Sequence, residues 1–196
     1  MAAFCTVAES KAVKSFSIDK SIFAIYVPLL SKINNFYRII KFMINIGIIS
    51  VSDRAFNKVY KDEGIPEIEK ILSVDNDFKI LNRQIIPDDK VIIQNTLTQF
   101  CDEEKLDIIL TTGGTGPSSR DVTPDATLEI IDREYPGFGE LMRLESLKYS
   151  KYAILSRQIA GTRGKTFVLN LPGNPKSIRE ILPLIIDQLK HFIEKR

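Results

Sequence analysis

The stretch TTGGTGPSSRDVTPDAT, residues 111–127, combines a glycine-rich turn, hydroxyl groups, a cation, carboxylates and a helix start. It follows the short apolar run 106–110, which predicts a buried strand. Glycines after a strand let backbone N–H groups face a ligand. Thr123-Pro124-Asp125 predicts a helix start with Thr as the cap and Pro at the first helical position. A strand, a glycine turn and a helix N-terminus together predict phosphate binding.

Strand-like and helix-like segments alternate on both sides of this stretch. Residues 44–51 form a nearly continuous apolar run, typical of a parallel strand covered on both faces. Further strands are predicted at 78–86 and 166–171, and helices at 65–72, 90–103, 125–131, 139–150 and 178–193. Pro183 predicts that the last helix is kinked or split in two. The alternation predicts an α/β fold with three layers: a mostly parallel open sheet with helices on both faces.

Polar, turn-forming residues follow each of four predicted strands. In open α/β sheets, ligands bind outside the carboxyl ends of the strands. We therefore expect the four loops to converge on one site. The loops are Ser52-Asp53-Arg54, Pro87-Asp88-Asp89, Thr111-Thr112-Gly113-Gly114-Thr115-Gly116 and Pro172-Gly173-Asn174-Pro175-Lys176-Ser177.

Five aspartates near these loops are candidate metal ligands: Asp53, Asp88, Asp89, Asp121 and Asp125. Asp89 and Asp125 are each explained by a position at a helix N-terminus, where negative charge is favourable. Asp88 and Asp121 lack that explanation and are the predicted Mg²⁺ ligands beside a phosphate chain. Arg120 is the cation predicted to hold phosphate.

The segment LPGNPKS, residues 171–177, repeats the phosphate-binding pattern near the C-terminus. Asn174 followed by a proline predicts a helix cap, whereas Ser177 followed by Glu180 predicts a capping box three residues later. Only one of the two can be the cap. Lys176 would oppose the helix dipole unless an anion lies there, although a solvated lysine also explains it.

Composition argues against several classes of protein. A net charge of +2 over 196 residues gives no nucleic-acid footprint. Cys5 and Cys101 form no disulfide framework or metal spacing, and they indicate a reducing compartment, here the cytoplasm. His191 is the only histidine and is expected to be solvated, so histidine-based catalysis is not predicted. Gly164-Lys165-Thr166 lacks the earlier glycine of a P-loop and leads into a strand, so it predicts a turn.

Residues 1–42 differ from the rest and form an N-terminal extension in this interpretation. They carry six Lys or Arg against two acidic residues, a balance of +4. The apolar run 21–30 is too short to span a bilayer and is interrupted by Pro28. An export signal, an appended arm and upstream translation with a start at Met43 are the alternatives. Phe36, Ile39, Ile40 and Met43 are compatible with a short amphipathic helix that docks on the domain or a partner.

Seven ordered motifs from Met43 onward resemble the bacterial molybdopterin adenylyltransferases, which are related to the G domain of gephyrin. The resemblance extends almost to the C-terminus, and the order of the motifs makes it specific. They are ISVSDRA (49–55), KDEGIP (61–66), IPDD (86–89), TTGGTG with RDVTPDAT (111–127), PGFGE (136–140), LSRQ (155–158) and LNLPGNPKS (169–177).

The resemblance implies a reaction in molybdenum cofactor biosynthesis. The terminal phosphate of molybdopterin attacks the α-phosphorus of Mg-ATP, giving adenylyl-molybdopterin and pyrophosphate. Asp88 and Asp121 match the critical carboxylates of the family, and a homotrimer that hands its product to a molybdate insertase is expected. The predicted substrate-binding residues are Ser52, Asp53, Thr112, Gly113, Gly114, Thr115, Gly116, Arg120, Pro172, Gly173, Asn174, Lys176 and Ser177.

Three other functions are compatible with parts of the pattern. A molybdopterin-binding scaffold of the same fold would not turn over ATP, and the presence of Asp88 and Asp121 argues against it. A molybdate insertase-like protein needs extra domains, for which the residues after Phe42 leave no room. An interaction module would use residues 1–42 as a membrane or partner anchor.

Overall fold

The structure, a computed structural model, describes residues 43–196. The expectations for residues 1–42, including the short amphipathic helix, lie outside this range. A six-stranded sheet in the order β2-β1-β3-β6-β5-β4 forms the centre of the described part. The strands are β1 (Ile44–Val51), β2 (Phe78–Ile86), β3 (Ile108–Thr112), β4 (Arg133–Glu134), β5 (Ala160–Arg163) and β6 (Thr166–Leu171).

Helices connect the strands and cover the sheet. The α-helices are α1 (Asp53–Phe56), α2 (Gly64–Leu72), α3 (Lys90–Thr98), α4 (Thr123–Ile130), α5 (Pro136–Ser146) and α6 (Pro175–Lys195). A π-helical turn, Gln99–Glu103, extends α3, and a 3₁₀ turn, Lys151–Leu155, follows α5. No helix within residues 43–196 is long and apolar enough to cross a membrane.

Four neighbouring strands are parallel and end at one edge of the sheet. β1 pairs in parallel with β2 and β3, and β3 pairs in parallel with β6. In register, Val51 lies opposite Ile86, and Thr112 lies opposite both Ser50 and Leu171. The loops that follow these four strands therefore begin side by side, as the sequence predicted.

The core has two parts, one on each face of the sheet. Ile46 and Ile48 of β1 point to the face covered by α2, α5 and α6, where an aromatic group formed by Tyr135, Phe138, Phe167 and Phe192 completes the packing. Ile49 and Val51 point to the opposite face, against α3 and α4. This alternation explains the continuous apolar run of β1, because both of its faces are buried. The predicted three-layer, mostly parallel α/β fold is confirmed.

Four local predictions are corrected by the structure. β3 begins two residues later than predicted, so Thr111 and Thr112 belong to the strand rather than to the loop. α4 begins at Thr123 with Val122 before it, and the Thr123 hydroxyl donates to the Gly113 carbonyl oxygen at 3.0 Å instead of capping the helix. The predicted helix at 139–150 lies at Pro136–Ser146.

The fourth correction concerns the last helix. α6 is a single helix with Pro183 inside it, so of the two predicted outcomes the split is wrong, and the kink stays a prediction. Pro183 lies on the exposed side of α6, where the carbonyl that loses its partner can meet water. The predicted turn at Gly164 is confirmed, since it joins the antiparallel strands β5 and β6. Asn174 caps α6 by accepting from the Lys176 N–H at 2.9 Å, so the alternative capping box at Ser177 is wrong.

Candidate active site

A polar cleft of about 340 Å³ lies at the carboxyl edge of the four parallel strands. All four predicted loops contribute to its walls, which also include the segment that leads into α2. Its volume is within the range of small-molecule sites. The lining residues are Ser50, Val51, Ser52, Tyr60, Asp62, Glu63, Gly64, Asp88, Thr112, Gly113, Gly114, Asp121, Gly173 and Pro175.

Asp88 is held by a reciprocal pair of hydrogen bonds with Asp53. The Asp53 N–H donates to the Asp88 carboxylate at 2.8 Å, and the Asp88 N–H donates to the Asp53 carboxylate at 3.0 Å. These bonds join the loop after β1 to the loop after β2. Asp53 does not line the cleft, and its place here is to fix Asp88 at the cleft wall.

Asp88 also lies in an environment that disfavours its charge. Burial raises the pKa of its carboxyl above the ordinary value, and the Asp53 and Asp121 carboxylates raise it further. The hydrogen bond from the Asp53 backbone and the Arg120 guanidinium act in the opposite direction on this pKa. A carboxyl group in a cleft whose ionised form is disfavoured by burial and by neighbouring carboxylates is typical of functional sites.

Asp121 faces the same cleft from the loop between β3 and α4. Its carboxylate accepts from the Ser118 N–H at 2.9 Å, and its own N–H donates to the Ser118 carbonyl at 3.0 Å. A Cβ added to Gly116 would lie 3.0 Å from the Asp121 carboxylate, so a side chain at position 116 would crowd that carboxylate. The loop 116–121 thus closes on itself around Asp121.

The glycine turn between the two carboxylates requires glycine for its conformation. Gly113 and Gly114 have φ angles of 98° and 61°, which side chains rarely adopt. A Cβ on Gly114 would lie 2.4 Å from the Thr123 hydroxyl and 3.3 Å from the Asp88 carboxylate. The turn also approaches Gly173 closely, since a Cβ there would lie 3.1 Å from the Gly113 Cα atom. Backbone of this kind is suited to bind a ligand closely.

Arg120 is oriented toward Asp53 and forms an ion pair with it. This pair connects the loop of Asp121 to the loop of Asp53. The Arg120 side chain is 65% exposed, so the pair contributes little to stability. Arg120 does not line the cleft itself, so its contact with a phosphate stays a prediction.

The remaining predicted substrate-binding residues take supporting positions. The Thr112 hydroxyl donates to the Pro172 carbonyl at 2.8 Å and links the ends of β3 and β6. Thr115 is buried, and Ser177 is half-buried within α6. Lys176 is 74% exposed and lies 3.9 Å from Glu180, which is the solvated position that the sequence left open. The predicted substrate-binding residues that do not line the cleft are Asp53, Thr115, Gly116, Arg120, Pro172, Asn174, Lys176 and Ser177.

One wall of the cleft was missed by the sequence argument. Asp62 accepts from the Ser50 hydroxyl at 2.5 Å and from the Ile65 N–H at 2.9 Å. The Tyr60 hydroxyl lies 3.1 Å from the Ser52 hydroxyl. These residues follow α1 rather than a strand, so the rule about strand ends did not select them. The motif KDEGIP contains Asp62 and was the available signal.

The donor set fits a Mg²⁺ ion that is shared with a phosphate chain. Within residues 43–196 no group of three or more His, Cys, Asp or Glu is placed to hold a metal by itself. Mg²⁺ is commonly bound by one or two carboxylates together with substrate phosphates and water. Asp88 and Asp121 supply two hard oxygen donors at one cleft. Burial disfavours the ionised form of Asp88, and a bound cation would stabilise that form.

A larger groove of about 700 Å³ lies elsewhere, between the start of α5 and the last turns of α6. It is lined mainly by apolar and aromatic groups such as Phe138, Leu141 and Phe192. The exposed His191 lies there and not at the cleft. Cys101 is a free, buried thiol whose pKa burial raises to about 12, so it is not a nucleophile. The chemistry therefore concentrates at the smaller, polar cleft.

Comparison with known proteins gives one consistent result. Residues 47–191 match the family model described as a probable molybdopterin binding domain. The chain is 51% identical over 146 residues to the molybdopterin adenylyltransferase of Escherichia coli K12, covering 74% of each chain. It is 45% identical over 156 residues to that of Helicobacter pylori J99, covering 77% of this chain and 86% of the relative.

Solved structures agree with this result. The molybdopterin biosynthesis enzyme MoaB from Thermus thermophilus is 41% identical with a TM-score of 0.70, and the match covers 78% of this chain and 98% of that one. The molybdopterin biosynthesis Mog protein from Mycobacterium ulcerans is 33% identical with a TM-score of 0.72, covering 78% and 98% of the two chains.

Proposed function

Because the chain belongs to the molybdopterin-binding family of the molybdopterin adenylyltransferases, we propose that it adenylylates molybdopterin with Mg-ATP in molybdenum cofactor biosynthesis. An oxygen of the terminal phosphate of molybdopterin forms a bond to the α-phosphorus of ATP. The bond between that phosphorus and the pyrophosphate oxygen breaks, and pyrophosphate leaves. The identities to relatives named for this activity support the assignment.

One observation carries the proposal: Asp88 and Asp121 face a single cleft from two different loops. The two residues are 33 positions apart in the chain, and the parallel sheet brings the loops that carry them together. A phosphoryl-transfer site needs little covalent chemistry from the protein, so positioning and charge compensation dominate. Two carboxylates beside a glycine turn supply the parts that such a site requires.

The chain's own groups divide the work of binding. The turn at Gly113 and Gly114 presents backbone to the phosphates, and the N-terminus of α6 opens on the cleft through Gly173 and Pro175. The positive end of that 21-residue helix favours an anion. Arg120 can leave Asp53 and contact a phosphate oxygen at the mouth of the cleft.

Asp88 and Asp121 would hold Mg²⁺ together with phosphate oxygens. When bound, the ion neutralises the charge that develops on the leaving pyrophosphate. The two carboxylates must be ionised for this role. The pKa of Asp88 is raised, so its carboxylate is protonated earlier as the pH is lowered. We therefore expect Mg²⁺ binding to weaken at a higher pH than it would with an ordinary aspartate.

Several further features are part of the proposal. We assign the activity to residues 43–196 as one domain, which the family match over 47–191 supports. A homotrimer, hand-over of the product to a molybdate insertase and a cytoplasmic location complete the assignment by family resemblance. Exposed apolar side chains on the end of α5, on the 3₁₀ turn and on the residues that join them favour self-association: Leu144, Leu147, Tyr149, Tyr152, Ile154 and Leu155. Light scattering tests the homotrimer, because a trimer has three times the 22.2 kDa mass of the chain.

The proposed function is tested by pyrophosphate release from Mg-ATP with and without molybdopterin. We expect release only when molybdopterin is present, and formation of adenylyl-molybdopterin in equal amount. Binding of molybdopterin without release of pyrophosphate would favour the non-catalytic scaffold instead. Release that does not depend on molybdopterin would point to a different acceptor.

A further inference from the structure

Arg157 does not line the cleft, but it contacts the loop that carries Asp121. It follows the 3₁₀ turn Lys151–Leu155 and precedes β5. Its side chain is partly exposed and still makes four hydrogen bonds. All four go to residues 116–125, the segment that contains Asp121. That concentration requires an explanation.

The contacts of Arg157 enclose the loop from both ends. Its backbone N–H donates to the Thr115 carbonyl at 2.9 Å, and its Nε donates to the Gly116 carbonyl at 3.2 Å. One terminal nitrogen also donates to the backbone carbonyl of Asp121 itself. Both terminal nitrogens donate to the Asp125 carboxylate, at 2.9 and 2.8 Å.

Asp125 gives this arrangement a fixed base. It lies in the first turn of α4, next to the buried residues Thr123 and Pro124. The hydrogen bonds from Arg157 lower the pKa of the Asp125 carboxyl, so the pair stays charged at neutral pH. A planar guanidinium in a two-pronged pair has a defined orientation, which a more flexible cation does not have.

We propose that Arg157 is a positioning residue that fixes Asp121 in the cleft by bracing the loop 115–121 against α4. The inference rests on the proposed function, in which Asp121 is a working carboxylate. Residues 117–120 are exposed, and the loop's internal hydrogen bonds are local: Ser118 is joined to Asp121, and its hydroxyl accepts from the Arg120 N–H at 3.3 Å. Arg157 therefore supplies the contacts that hold this small turn against α4, while the Arg120–Asp53 ion pair joins the turn to the side of the cleft that carries Asp88.

A positioning role differs from a stabilising role in its consequences. The side chains of Arg157 and Asp125 are 42% and 44% exposed, and ion pairs of that exposure contribute little to stability. Displacement of a reacting group by about 1 Å can reduce a rate by roughly 100-fold. Loss of the brace should therefore reduce turnover much more than it reduces the melting temperature.

Arg163 offers a matched control within the same chain. It also forms a two-pronged pair with an aspartate, Asp102, and also donates to a backbone carbonyl, that of Ile130, at 2.9 Å. It pairs with Thr166 at the amino end of β6, whereas the cleft lies at the carboxyl end. Arg157→Lys and Arg163→Lys thus remove the same kind of fork in two places.

The test compares these two variants in turnover, Mg²⁺ dependence and amide hydrogen exchange. For Arg157→Lys we expect kcat to fall by roughly 10- to 100-fold, and half-maximal activity to require more Mg²⁺. Peptides covering 115–121 should exchange faster in this variant only. Arg163→Lys should keep its kcat within about twofold, since surface substitutions away from a site change little.

The results separate this inference from the proposed function. Equal losses of kcat in the two variants, or unchanged exchange at 115–121 in Arg157→Lys, would overturn the positioning role. If the unaltered protein releases no pyrophosphate, the proposed function fails. The exchange measurement then still decides whether Arg157 holds the loop.

Discussion

Asp88 and Asp121 face the same cleft, but the chain holds them in different ways. Asp88 is tied to Asp53 by two hydrogen bonds between loops that leave adjacent strands. Asp121 belongs to a turn that closes on itself at Ser118 and is braced from outside. One carboxylate is thus fixed by the sheet, and the other depends on a loop.

The difference shows how the site can combine precision with access. A group anchored at strand ends keeps its position, because it moves only when the sheet moves. A group on an exposed loop can shift when a ligand enters, because local opening of a loop costs less free energy than separation of a core strand from its sheet. Arg120, which pairs with Asp53 from the loop of Asp121, is the contact between the two sides.

The largest expected effects come from removing either charge. Asp88→Asn and Asp121→Asn should each lower kcat by roughly 100- to 1,000-fold, the range for losing one group that stabilises transition-state charge. The double variant should be little worse than either single variant, because both carboxylates act on one ion. Pyrophosphate release under saturating substrates measures all three.

Asp89→Asn is the matched control for this prediction. Asp89 caps α3 by accepting from the Ile92 N–H at 3.0 Å, and asparagine caps a helix as well as aspartate does. Near-normal turnover is therefore expected. If Asp121→Asn kept normal turnover while Asp88→Asn lost it, the cleft would have one working carboxylate, and the loop that carries Asp121 would have no part in the reaction.

A smaller effect is expected from Gly116→Ala, which acts on Asp121 and leaves Asp88 untouched. The new methyl group would lie 3.0 Å from the Asp121 carboxylate, so that carboxylate must move by a few tenths of an ångström. We expect kcat to fall by about 10-fold, on the order of the loss from a small misplacement. Circular dichroism and the melting temperature should change little.

Gly137→Ala controls for the added methyl group, since a Cβ at that position meets nothing within 4 Å. Turnover of Gly116→Ala equal to that of the unaltered protein would mean that Asp121 tolerates displacement. A loop that adjusts on ligand binding would then outweigh the bracing.

The parts of this molecule that local sequence determines were predictable. β1 and β6 have apolar runs that only a doubly covered strand explains, and both were predicted with the observed bounds. The rule that loops converge at the carboxyl ends of parallel strands placed Ser52, Asp88, Gly113 and Gly173 at one cleft. Those predictions needed periodicity and topology only.

Contacts between distant residues were not predictable in this way. Thr123 was expected to cap α4, but its hydroxyl donates to Gly113, ten residues earlier in the chain. Arg157 follows a 3₁₀ turn and has no local pattern that points to Asp125, 32 residues away. β4 and β5 are short strands of two and four residues, and strands of that length leave little periodicity to detect.

The smallest expected effect concerns stability and returns to Asp88. Burial raises the pKa of its carboxyl above the ordinary value of 3.8, so its ionised form costs folding free energy at neutral pH. A raised pKa contributes stability below 3.8 and loses that contribution as the pH rises through the folded-state value. Asp88→Asn should therefore melt at a higher temperature than the unaltered protein at about pH 7, without Mg²⁺ or nucleotide.

The gain should shrink as the pH is lowered toward about 4, because Asp88 then becomes neutral in the unaltered protein as well. Thermal unfolding followed by circular dichroism at a series of pH values measures this trend, with Asp89→Asn as the reference variant. A lower melting temperature for Asp88→Asn at neutral pH would mean that the hydrogen bonds with Asp53 outweigh the cost of burial. In that case Asp88 would serve the fold as much as the reaction, and the cleft would owe its shape to the same residue that gives it charge.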